Sequence, residues 1–170
     1  MKWWMKLVGW VVFVIYILLL TKFILFKYPY SYSSILNNFI GNNPYFSWYN
    51  HNFIPFKTIT EYLKLSNEIS LSIRFDNLFG NLIGFLPFGF LMPLLFQRFY
   101  RLKKVTTATF TLSLFYELCQ LFFSMGNFDV DDLLLNTFGG IIGYWIFMLS
   151  YFIFQKHRTV RNKNLLFFNK

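Results

Sequence analysis

An all-α integral membrane protein is what this chain predicts: a bundle of four transmembrane helices with an interfacial or re-entrant outer segment between the first and second. Three observations carry that expectation. The 170 residues are 56% hydrophobic, 24% aromatic and only 14% charged, too apolar for an ordinary soluble domain. Four stretches, 7–26, 78–97, 105–123 and 133–154, have the roughly 20 mostly apolar residues that cross a hydrocarbon core. The basic residues then alternate between connections, as they do when a chain threads a bilayer.

The first stretch begins after Lys2 and Lys6 and stays apolar to Phe26. That is longer than the apolar run of a secretory signal, and no small-x-small site follows it, so an uncleaved first span is expected. The outer connection, 27–77, contains Tyr28, Tyr30, Tyr32, Tyr45, Trp48 and Tyr49. These residue types prefer the headgroup zone, so the connection reads as a lid on the bilayer. Within it Phe53-Ile54-Pro55-Phe56 is too short to span. It predicts an elbow followed by a short helix capped by Thr58 or Thr60, with Lys57 either reaching towards the acidic residues below or pairing with lipid phosphate at the surface.

The second span opens with Asn77 and Asn81, one helical turn apart and therefore on one face. Pro87 and Pro93 interrupt it, and the run Phe85-Leu86-Pro87-Phe88-Gly89-Phe90 predicts a kink near Phe88-Gly89. The third span carries Glu117 and Gln120 in its last two turns, with Glu117 about 9 Å from the end at about 1.5 Å per residue. Asp129, Asp131 and Asp132 precede or open the fourth span, which also holds Asn136. Asp131 or Asp132 is expected to cap that helix at the positive end of its dipole. The pairs Gly80 and Gly84, and Gly139 and Gly143, have the spacing that lets helix backbones approach. A basic cytoplasmic tail, 156–170, completes a division into a membrane domain, 1–155, and a tail lying on anionic headgroups.

Charge sets the expected orientation. With four spans and the N-terminus inside, one side holds Lys2 and Lys6, then Arg98, Arg101, Lys103 and Lys104, then five more basic residues from Lys156 to Lys170, with no Asp or Glu among these pieces. The basic excess places both termini in the cytoplasm. It also accounts for the net charge of +9 without nucleic acid. Because successive spans alternate in direction, Asn77, Asn81, Glu117, Gln120, Asp131, Asp132 and Asn136 arrive at one depth in the outer leaflet. A carboxyl group at such depth costs several kcal/mol without a partner. A polar pocket walled by three helices is therefore expected there, although each amide alone is adequately explained as interhelical hydrogen bonding.

These residues also carry a resemblance. The Ile54-Pro55-Phe56 elbow, Asn77-x-x-Gly80-Asn81 leading into Phe85-x-Pro87-x-Gly89, Glu117-x-x-Gln120, and Asp129-x-Asp131-Asp132-x-x-x-Asn136-x-x-Gly139-Gly140-x-x-Gly143 follow one another over about residues 52–147. In this order the chain resembles the VanZ-like membrane proteins, a family named for a teicoplanin-resistance accessory protein. The resemblance implies a bacterial plasma-membrane protein linked to tolerance of lipoglycopeptide-type antibiotics, and implies no molecular activity. Many relatives carry a basic residue shortly before the aspartates, where this chain has Gly126-Asn127. The acidic cluster is then expected to depend on Lys57, Arg74, a metal or a proton.

Three functions compete. The first is a non-enzymatic protein holding the headgroup of a membrane lipid or lipid-linked cell-wall precursor, with Lys57, Asn77, Asn81, Glu117, Gln120, Asp129, Asp131, Asp132 and Asn136 as the pocket and no cofactor. The second is an intramembrane enzyme acting on an isoprenoid or glycolipid phosphate, with Mg²⁺ held by Asp129, Asp131 and Asp132 and Glu117 as general base. The third is a flippase or proton-coupled transporter titrating Glu117. No nucleophile and base pair is apparent: His51 and His157 read as exposed loop residues on opposite sides of the membrane. Cys119, the single cysteine, has no internal disulfide partner, and assembly into a homo-oligomer stays open.

Overall fold

The computed structural model describes residues 3–26, 51–64, 71–123 and 125–168, with the side chains of 71–74, 76 and 157–168 left aside. The aromatic lid expected at Tyr28 to Tyr49, and the side chains of Arg74 and His157, lie outside this description. The described residues form five α-helices: α1 (Trp3–Leu25), α2 (Lys57–Leu63), α3 (Leu71–Leu95), α4 (Leu102–Phe123) and α5 (Val130–Phe168). A single 3₁₀ turn, Gln97–Phe99, joins α3 to α4. Three helical segments, Trp3–Leu25, Asn77–Leu95 and Val130–Lys156, are long and apolar enough to cross a membrane. Helix α4 has the length, at 22 residues, but carries four threonines and a serine. Three of those threonine hydroxyls return to carbonyls one turn earlier: Thr107 to Lys103, Thr109 to Val105 and Thr111 to Thr107.

The centre of the bundle is the pairing of α3 with α5. Glycines on α5 make it possible. A Cβ on Gly139 would overlap the carbonyl of Leu82, and one on Gly143 the carbonyl of Leu86. Gly89 of α3 meets Gly140 of α5 backbone to backbone, and Gly140 also lies under the buried Thr109 of α4. The expected glycine packing thus occurs on α5. On α3 the expectation fails: a Cβ on Gly80 would meet nothing within 4 Å, and Gly84 faces the Leu20 side chain of α1.

Helix α3 starts at Leu71, six residues before its first pocket amide, and runs unbroken through Pro87 and Pro93. The helical assignment is continuous across Phe88-Gly89, where the kink is expected. Phe88 and Gly89 are buried, while Leu86, Pro87 and Phe90 on either side are half-buried. Helix α5 likewise continues past residue 154 to Phe168, so the basic tail is an extension of the last helix.

Helix α1 is apolar on every face, and Leu20 is its single buried residue. Such a helix has no preferred inward stripe, and its exposed side chains suit hydrocarbon. A few polar tips attach it. The Tyr16 hydroxyl donates to the Gly84 carbonyl at 2.8 Å, one helical turn ahead of Phe88, and the Thr21 hydroxyl lies 2.8 Å from that of Tyr116. Leu20, Phe85 and Tyr116 form the apolar cluster beneath these bonds. At the opposite end, Arg98 stacks over the rings of Phe96 and Phe99, and the Tyr144 hydroxyl closes onto the Tyr100 carbonyl.

Candidate functional site

The last turns of α1 and α4, the first turns of α5 and the stretch of α3 from Phe75 to Pro87 surround a cavity of about 860 Å³. Asn77 and Asn81 line it from α3, Glu117 and Gln120 from α4, and Asp132 and Asn136 from α5. Asp129 lines it just ahead of α5, and the exposed Lys57 from α2. Eight of the nine expected residues therefore meet in one space. Asp131, the ninth, is fully buried beside it with a different task.

That task is to hold the elbow. Residues 51–56 cross the start of α5 in a short parallel bridge: the Asn52 N–H donates to the Phe128 carbonyl at 2.8 Å, and the Val130 N–H returns to the Asn52 carbonyl at 3.0 Å. Below this bridge the Asp131 carboxyl accepts the backbone N–H groups of Phe56 at 2.5 Å and Ile59 at 3.2 Å. These are orphan donors at the start of α2. Asp131 thus caps α2 from a distant part of the chain, where Thr58 or Thr60 was expected. Thr60 turns back to the carbonyls of Phe56 and Lys57, and Thr58 donates to Asp129 at 2.6 Å. Phe56 itself has φ 66°, a left-handed conformation that is uncommon for an aromatic residue.

Asp129 takes the place expected for Asp131 or Asp132 at the start of α5. Its carboxyl accepts the Asp131 N–H at 2.8 Å, which is an N-cap bond, and also receives Asn52 Nδ2 at 2.8 Å. One carboxyl group therefore joins the helix start, the elbow and α2. Uncharged donors of residues 52–59 thus meet the carboxyl groups of both Asp129 and Asp131.

Glu117 is 1% exposed, and its Oε2 accepts the Asp129 N–H at 2.9 Å. Gln120 donates to the Ile24 carbonyl of α1 at 3.1 Å, Asn136 to the Ser113 hydroxyl at 2.9 Å, and Asn77 to the Tyr62 hydroxyl at 3.2 Å. So each amide but Asn81 is fixed by a bond between elements. The remaining atoms are more telling. Four buried side-chain polar atoms have no hydrogen-bond partner among the described residues: Asn81 Nδ2, Gln120 Oε1, Asn136 Oδ1 and Thr137 Oγ1. Residues bearing the first three line the cavity.

Several contributors escape a reading of the sequence. His51 is not an exposed loop residue: it is half-buried, and its Nδ1 accepts the Phe128 N–H at 2.9 Å. Burial holds its imidazole below the ordinary value of 6.5. Asn52, 9% exposed, binds Thr58, Asp129 and, through an Asx turn, the Ile54 N–H. A polar His51-Asn52 pair just ahead of an apolar, proline-containing turn was the available signal. Among the described residues no group of three His, Cys, Asp or Glu side chains is arranged to hold a metal ion.

Fold and cavity together define a helical membrane protein with a polar chamber at one end of its bundle. The VanZ/LLP1 family model matches residues 13–155, and the chain belongs to that family. Protein VanZ of Enterococcus faecium is 35% identical over 77 residues, which are 45% of this chain and 47% of that protein. The aligned part thus spans about half of that relative's length. No solved structure matches the chain.

Proposed function

We propose that the protein resides in a bacterial plasma membrane with both termini cytoplasmic and binds a lipid or envelope-precursor headgroup in its cavity at the outer leaflet. In this reading α4 is a fourth span: its 22 residues rise about 33 Å at 1.5 Å each, and the hydroxyls of Thr107, Thr109 and Thr111 are hydrogen-bonded within the helix. Residues 51–64 lie at the outer interface, with Phe53, Ile54 and Phe56 exposed to the lipid. The basic residues of the α3–α4 turn and the C-terminal helix face the cytoplasm.

The observation that carries the proposal is the meeting of eight polar and charged residues, among them Lys57, Asn77, Glu117 and Asp132, around one cavity. A cavity walled by carboxyl, amide and ammonium groups at one end of a lipid-embedded bundle suits a polar headgroup better than acyl chains. Family membership extends the reading to glycopeptide and lipoglycopeptide tolerance, through altered antibiotic access to lipid-bound targets.

Native mass spectrometry of the purified protein and of Glu117→Gln tests this. The wild type is expected to retain one lipid class selectively, and the variant to lose it, because Glu117 fixes the junction between α4 and α5. Equal, unselective lipid profiles together with unchanged antibiotic sensitivity would remove the proposal.

A further inference from the structure

We infer that the cavity has a mouth in the side of the bundle, between α1 and α3 at Gly80, through which the acyl chains of a membrane lipid reach the bilayer while its headgroup stays inside. This inference rests on the proposed headgroup-binding role and adds the ligand's route and class: a lipid that enters from the bilayer, not a solute that enters from water.

The two helices close on each other at one level and part at the next. Tyr16 and Leu20 lie one helical turn apart on α1, and both reach Gly84 of α3. The Tyr16 hydroxyl donates to the Gly84 carbonyl at 2.8 Å, and the Leu20 side chain lies 3.5 Å from where a Gly84 Cβ would stand. One turn further along, α1 brings Phe23 and Ile24 to the cavity, and α3 brings Phe79 and Gly80. Here a Cβ on Gly80 would meet no described residue within 4 Å, and Gly80 itself is exposed. The contact at Gly84 is thus the sill of an opening, and the lack of a side chain at Gly80 helps to keep it clear.

The rim of that opening is apolar. Phe23 of α1 and Phe79 and Ile83 of α3 line the cavity while being 70%, 48% and 58% exposed. All three belong to segments apolar enough to cross a membrane, so hydrocarbon is what meets them outside. The far wall is polar, with Glu117 and Gln120 of α4 and Asp132 of α5. A chamber with a polar wall facing an apolar gap matches an amphiphile. Entry from water would require the chains to be drawn out of the bilayer, at a cost that grows with every methylene, and a side mouth removes that cost.

The test is photolabelling of the full chain in phosphatidylethanolamine nanodiscs with two probes, read residue by residue by peptide mass spectrometry. One is phosphatidylethanolamine with a diazirine on its acyl chain close to the glycerol; the other is glycerophosphoethanolamine with the diazirine on a short, water-soluble chain. The lipid probe is expected to label Ile24 and Asn81, which are half-buried in the cavity lining, as well as the exposed Leu149 on the spanning part of α5. Gly80→Trp fills the gap, and is expected to cut labelling at Ile24 and Asn81 about tenfold and to leave Leu149 unchanged. Undiminished labelling at Ile24 and Asn81 in that variant overturns the mouth at Gly80. Labelling of Ile24 and Asn81 by the soluble probe alone overturns entry from the side and leaves the headgroup-binding role standing. Lipid labelling confined to Leu149, with no soluble labelling, means that protein fills the mouth and overturns the inference, while the native mass spectra still decide the headgroup role. The two probes are compared in wild type, so a Gly80→Trp chain that fails to fold does not remove the test.

Discussion

Replacing Asp131 should release the elbow without unfolding the bundle. Its carboxyl group accepts two backbone N–H groups, from Phe56 and Ile59, and is 0% exposed. A hydrogen bond to a charged acceptor contributes about 1.5–3 kcal/mol. Asp131→Ala therefore costs the closed elbow about 3 kcal/mol at the lower bound, roughly a 100-fold rise in the open population at about 1.4 kcal/mol per tenfold. Asp131→Asn keeps one acceptor oxygen and is expected to cost about half as much, near tenfold. Hydrogen–deuterium exchange in nanodiscs reads this directly. Protection of the 54–63 amides should fall in the order wild type, Asn, Ala, while the amides of α3 and of α5 beyond Asn136 stay as in wild type. Unchanged exchange across 54–63 in the alanine variant would refute the reasoning, as would an equal loss over every helix.

Three further outcomes follow from neighbouring features. Phe56→Gly should increase protection of the same segment, because a left-handed residue with a Cβ costs about 1–2 kcal/mol and this side chain is 61% exposed; lower protection would show that the ring contributes more than the strain. Gly143→Ala should lower the thermal midpoint in detergent through about 1–3 kcal/mol of overpacking against Leu86, whereas Gly80→Ala, with open space around it, should leave it unchanged or raised; equal effects would contradict the packing described. His51 has a depressed pKa when folded, so its bond to the Phe128 N–H is present above the unfolded value near 6.5 and lost as pH falls through the folded value. Exchange at Phe128, corrected for its intrinsic pH dependence, should rise on going from pH 7.5 to pH 5, and a flat profile would exclude that contact as a pH-sensitive one.

Much of the site was legible because alternation of helix direction is strong arithmetic. Asn77, Asn81, Glu117, Gln120, Asp132 and Asn136 lie near helix ends that a multi-span chain brings to one side, so their meeting required no knowledge of side-chain detail. The roles of Asp129 and Asp131 were not legible for the opposite reason. Which of three nearby aspartates caps α5 depends on where residues 51–59 lie, and those are over 70 positions away in the chain. Propensity places Thr58 or Thr60 at the start of α2, but a carboxyl group delivered from α5 outcompetes both. The glycine spacing on α3 misled because the pattern records a face, not what the face meets. Asn52 was missed because a lone asparagine before a turn is common, and its importance comes from the Asp129 carboxyl it reaches.

The backbone contact between α3 and α5 has a mechanical consequence. Helices touching at Gly139, Gly140 and Gly143 have no long side chains between them to slide or re-rotamerise, so the pair behaves as one stiff wall. Helix α1 is different: it is tied on by a few tips, among them Tyr16, Thr21 and the Gln120 amide. Any widening of the chamber falls to that loosely moored helix, whose outward swing would strip Gln120 of its bond to Ile24.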